Sequence, residues 1–173
     1  MTAPRLALAL TLALAGAGGA AALGAPPEGS AGDGGRMSVV VRAAGGDVLA
    51  RVPLEGGRFA VSYRNSLYGT LAEERYAVAP DGRFALVELA ADQLAVLEEY
   101  YAVPGAPRRA PDGDRRALVA DPHPDRAAVF GNLSIAATDL GKRTLLVPGS
   151  PPVELWRLVD ADPTIVLHLE EVP

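Results

Sequence analysis

The chain has 173 residues, a formal net charge of −5, no cysteine and an aromatic share of 5%. The missing cysteines exclude a disulfide frame, a thiolate zinc centre, an iron–sulfur cluster and a thiol nucleophile, and the acidic balance argues against a nucleic-acid-binding surface. Apolar residues at 49% argue against disorder throughout, and the length sets one domain as the expectation.

The N-terminus reads as an export signal. Arg5 is the only early charge, an apolar run extends from Leu6 to Ala15, and small residues from Gly16 to Ala25 offer Ala-x-Ala-like cuts. Residues 1–25 are therefore assigned to a signal peptide, with the mature N-terminus between Ala20 and Pro26. The glycines between Gly16 and Gly19 weaken the run as a spanning helix; left uncut, residues 6–23 would anchor the chain to the membrane. Either way the expected location is periplasmic or otherwise extracytoplasmic. The Gly/Pro/Ser-rich segment 26–35 reads as a flexible tether, and 36–173 as a single β domain.

Strand-like patterning then recurs at Met37–Arg42, Val48–Leu54, Arg58–Arg64, Glu73–Ala79, Arg83–Leu89, Arg116–Ala120, Val129–Ala136, Arg143–Val147, Val153–Val159 and Thr164–Glu170. Gly, Pro and Asp clusters separate most of these runs, among them Gly45-Gly46-Asp47, Gly56-Gly57 and Pro80-Asp81-Gly82. Many short strands at this spacing predict an all-β, mainly antiparallel fold, a single-domain sandwich or open barrel. One segment dissents: Leu94, Leu97 and Tyr101 at helical spacing predict a short helix near 91–101. Between Pro104 and Asp125, prolines and charges predict a surface loop holding one short strand.

Alternation places Phe59, Val61, Tyr63 and Asn65 on one face of a strand, and Glu74, Tyr76 and Val78 on the matching face of the next. A hairpin that sets Tyr63 opposite Tyr76 sets Asn65 opposite Glu74, and the strand after Pro80-Asp81-Gly82 then brings Glu88 opposite Glu74. Asn65, Glu74 and Glu88 would converge at one end of the sheet. Two such carboxylates need a cation between them, a proton, or Arg75 or Arg64 reaching round. The candidate binding residues are Tyr63, Asn65, Ser66, Glu74, Tyr76 and Glu88, as a small polar site or as a hydrogen-bond network pinning the Ser66–Ala72 loop.

The stretch from Phe59 to Val78 resembles the signature of domain-of-unknown-function family 1850, a Tyr, then a His-Ser pair, then a Glu after a seven-residue gap. Tyr63, Ser66 and Glu74 match at that spacing; Asn65 stands where the family has His, and Pro104-Gly105-Ala106-Pro107 matches its later Gly/Pro element loosely. The resemblance implies an accessory role beside TRAP-type solute uptake systems of the TAXI type. Asn in place of His keeps a donor for a carboxylate but removes the titration and most of the metal affinity.

Other constellations are weaker. Ser66 as a nucleophile needs a histidine, and His123 and His168 lie in no hydrolase frame. Asp121, His123 and Asp125 match no metal-ligand spacing and read as a proline-bounded turn. No cofactor and no structural metal are expected. The leading expectation is an exported accessory or binding domain of a TRAP-type system. Its partner would be a transporter component or a small polar solute, not nucleic acid, with membrane contact only through an uncut N-terminal segment. A structural or protein-interaction β domain of the cell envelope is the alternative, and a hydrolase the third reading.

Overall fold

The computed structural model describes residues 36–103, 107–123, 125, 128–160 and 163–172. The expected signal peptide, the tether and the Pro104–Ala106 part of the later family element lie outside the described residues.

Twelve strands are described, and they pair antiparallel: β1 Met37–Ala43, β2 Val48–Leu54, β3 Arg58–Arg64, β4 Leu71–Val78, β5 Phe84–Ala91, β6 Arg108–Arg109, β7 Leu118–Ala120, β8 Val129–Phe130, β9 Asn132–Ala136, β10 Thr144–Leu146, β11 Val153–Glu154 and β12 Thr164–Glu171. One sheet runs β2-β1-β12-β9, the other β11-β10-β3-β4-β5-β7-β6, with β8 also on β5. The fold is all-β, as expected. Its two sheets pack face to face around Val39, Val41, Ile165 and Leu167 from the first and Phe59, Val61, Phe84 and Leu145 from the second. Fully burying each large apolar side chain here, such as Phe84 or Leu167, contributes about 1.5–3 kcal/mol. Phe59 stacks on Tyr76 with ring centroids 5.1 Å apart, and Phe84 meets both rings edge-on.

Several expected elements change where the chain turns between layers. The run 129–136 is two strands in different sheets, because the chain crosses from one layer to the other at Gly131. The run 153–159 keeps only two residues of strand before a 3₁₀ turn at Leu155–Arg157 buries Leu155 in the core. The expected helix shrinks to one π-helical turn, Val96–Tyr100, after β5 has extended to Ala91. Its buried residues Val96 and Leu97 join Tyr63, Ala72, Leu89 and Ala91 in a second apolar cluster.

The β3–β4 hairpin departs from the expected register by four residues. Phe59 pairs with Tyr76, Val61 with Glu74 and Tyr63 with Ala72. The cause is a shorter loop. Asn65 Oδ1 accepts from the N–H groups of Leu67 and Tyr68 at 3.0 and 3.1 Å, and Gly69, at φ +69°, returns its own N–H to the Asn65 carbonyl. The chain therefore reverses early and β4 begins at Leu71. Because four is even, every side chain keeps its expected face. A second shift, a bulge between Arg75 and Tyr76, pairs Tyr76 with Leu86 but Arg75 with Glu88. Glu88 is thereby sent to the face opposite Glu74.

Candidate functional site

On the inner face of β3 and β4, three of the expected residues meet around one carboxylate. Tyr76 donates to Glu74 Oε2 at 2.7 Å, and Tyr101, delivered by the turn after the π-helix, donates to Oε1 at 3.1 Å. Tyr63 and Tyr101 share a further hydroxyl–hydroxyl bond. Both Tyr101 hydroxyl functions are thus used, as acceptor from Tyr63 and donor to Glu74. The Arg143 guanidinium sits 5.0 Å from the Tyr63 ring centroid, with its Nη1 buried and without a hydrogen-bond partner among the described residues. Burial, with the Glu74 charge nearby, pushes the Tyr76 and Tyr101 hydroxyls well above the usual phenol range. They stay protonated donors at any physiological pH.

On the outer face of the same strands lies a chain of ion pairs. Glu73 is fully buried and accepts from three arginines: Arg115 at 3.0 and 2.9 Å, Arg116 at 3.2 Å and Arg75 at 3.2 Å. Arg75 reaches on to Glu88 at 2.7 Å and to both oxygens of Asp114 at 2.6 and 2.8 Å. Arg116 also holds Asp92, and Arg108 holds Glu88 and Asp121. Burial raises the Glu73 pKa, but the hydrogen bond from Arg115 and the charges of Arg115, Arg75 and Arg116 outweigh it, leaving the carboxyl below the usual range. Asp114 falls to about 2, chiefly through its hydrogen bond with Arg75. Arg75 is raised, first by Asp114 and then by Glu88. These pairs fasten the 110–117 tip of the β6–β7 hairpin across the sheet.

That tip walls a cleft of about 780 Å³. Arg58, Arg75, Glu88, Asp114 and Arg115 supply its charged lining, and Val87, Leu146, Val147, Pro148 and Pro152 much of its apolar lining. Pockets of this size are where small ligands bind.

The six expected residues thus separate. Tyr63, Glu74 and Tyr76 share the expected face, the convergence expected of Asn65, Glu74 and Glu88 does not form, and Tyr76 also borders the outer cleft. Asn65 does not face Glu74; it is buried as the lock of the 66–70 loop, the pinning role weighed for it from sequence. Ser66 is exposed on that loop, while His168 bonds to Glu170 and His123 to the Asp125 N–H. Glu88 belongs to the outer cleft with Arg75. Tyr101 and Arg143 were not foreseen at the inner cluster, nor Asp114 and Arg115 at the cleft. Arg143 carried a signal: it alternates with Leu145 and Val147, so an arginine occupies an inward position.

Searches against family models, curated proteins and solved structures find no match to this chain.

Proposed function

We propose that this chain is an exported accessory domain of a TRAP-type solute uptake system of the TAXI class, and that it binds a small polar solute in the outer cleft of the larger sheet. The observation that carries the binding part is the cleft itself: about 780 Å³, with a polar lining held in place by Glu73, Arg75 and Asp114. Side chains fixed by ion pairs before a ligand arrives lower the ordering cost of binding. The resemblance over Phe59–Val78 and the apolar run at Leu6–Ala15 support the transport and export parts.

The test is a melting-temperature screen of the full chain against small acids, sugars and amino acids, beside a Val87→Trp variant that fills the cleft. Wild type should melt higher with at least one solute, and the variant should lose that response. Absence of any response, or one that persists in the variant, overturns the reading.

A protein-interaction domain is the second reading, favoured by exposed apolar side chains around the β3–β4 loop: Leu67, Leu71, Leu94 and Tyr100. Asp92 binds the Leu71 carbonyl and Tyr68 binds Glu99, so these segments adjoin. Sedimentation of Leu67→Ser beside the wild type checks it: self-association that the substitution abolishes favours this reading, and identical monomers count against it.

A further inference from the structure

We infer that the ligand of the outer cleft is a monoanion with an apolar body, its carboxylate held between Arg58 and Arg115 and its chain laid on Val87, Leu146, Pro148 and Pro152. This rests on the cleft being the binding site.

The charged groups of the cleft differ in how fully they are paired. Arg75, deepest of the cleft arginines, is met by Glu73, Glu88 and Asp114 and has nothing left to offer. Of the cleft carboxylates, Asp114 pairs with Arg75, and Glu88 with Arg75 and Arg108. Arg115 differs. Its only carboxylate partner among the described residues is Glu73, already shared with Arg75 and Arg116, and its side chain is 55% exposed. Arg58 is exposed in the same cleft, and its side chain makes no ion pair or hydrogen bond with a described residue. Two exposed guanidinium groups, Arg115 with its donors partly used on Glu73 and Arg58 with none used on a described residue, therefore face one cleft on a chain whose net charge is −5.

A guanidinium presents parallel N–H donors that match the two oxygens of a carboxylate. The rest of the lining has few donors beyond Ser150: Val87, Leu146, Pro148 and Pro152 offer apolar surface that rewards methylene groups and not hydroxyls. An anionic head with a short hydrocarbon tail satisfies both halves. A free amine would meet the two exposed guanidinium groups, and a sugar would leave hydroxyls against proline and valine unpaired.

The test is isothermal titration of the full chain, at low ionic strength, with butanoate, hexanoate, octanoate, 1-hexanol and hexylamine. Hexanoate should bind, each added methylene should tighten binding by about fourfold, and hexanol and hexylamine should bind at least about tenfold more weakly. Arg58→Gln and Arg115→Gln should each weaken hexanoate by about tenfold. Arg58 makes no described ion pair and Glu73 keeps two arginines without Arg115, so both variants should fold. Hexanol binding as tightly as hexanoate overturns the anion inference and leaves the cleft as a binding site. Hexanoate binding unaltered by both substitutions also overturns it, while silence from every titrant removes this inference and leaves the screen of other polar solutes to judge the wider reading.

Discussion

Glu73 and Glu74 adjoin in β4, yet three guanidinium groups neutralise the first and two phenols hold the second. The outer cluster joins groups far apart in sequence: β4, β5 and the β6–β7 tip are tied by charge, because that tip buries little apolar surface beyond Ala110. The inner cluster is flanked by two apolar cores that already fix its neighbours, so its hydrogen bonds satisfy polar groups more than they connect elements. A carboxylate can thus be buried as a fastener or as a seam between cores. The difference is testable, because removing a fastener strands three charges, whereas opening the seam at Tyr101 strands a neutral donor and leaves the carboxylate its bond from Tyr76.

The largest effect should come from Glu73→Ala. Three arginines would then crowd a buried site without their shared acceptor, and urea unfolding should show a loss of about 3–5 kcal/mol. A loss below about 1 kcal/mol, the worth of an exposed pair, would mean that water screens the cluster and that the contrast is false. Tyr101→Phe should cost about 1–3 kcal/mol, since Tyr63 loses its acceptor and Glu74 one donor. Its amide shifts should stay confined to the inner face. Asn65→Ala should cost about 1 kcal/mol, because the N–H groups of Leu67 and Tyr68 lie near solvent and water replaces part of what is lost. Loss of order in the 66–70 loop, seen by amide exchange, would accompany it.

A smaller effect should appear in acid. The Asp114 and Glu73 pKa values are depressed in the fold, Asp114 to about 2 from 3.8 and Glu73 from 4.5. Their contribution is full above the unfolded values and is lost as pH falls through the folded ones, so the urea midpoint should drop between about pH 4.5 and pH 2. Asp114→Asn should make that drop shallower. An unchanged acid limb in that variant would show that the tip is not fastened through Asp114.

Much of this fold was legible in the chain. β2 and β3 begin and end where alternation and their flanking glycines place them, and the faces of Tyr63, Glu74 and Tyr76 were read correctly. Alternation reports faces but not partners. It left the hairpin free to slide by an even number of residues, and only the Asn65 side chain, folding back on its own loop, chose the offset. Glu88 was misplaced because a bulge is invisible to a period of two. Arg115 and Asp114 escaped because a turn residue shows its partner only once the hairpin is laid across the sheet.

The bulge in β5 has a consequence for how this chain tolerates changes of length. Val87 is its extra residue: Leu86 pairs with Tyr76 and Glu88 with Arg75, leaving Val87 unpaired and partly exposed at the cleft. A strand behaves here like a reading frame, in which one inserted letter exchanges inside for outside for everything downstream. Leu89 and Ala91 are buried inward in the frame that Val87 permits, and the loss of Val87 would leave that frame intact, since the pairs on either side already abut on β4. Deletion of Val87 should therefore preserve amide protection at Leu89, Ala90 and Ala91. Deletion of Leu86 instead lets Val87 take the place opposite Tyr76 in the same frame, so it should preserve that protection too, with a smaller side chain against the cores. A single-residue loss is in this way absorbed at the bulge, at the rim of the cleft, where it reshapes the cleft wall while Leu89 and Ala91 keep their inward places.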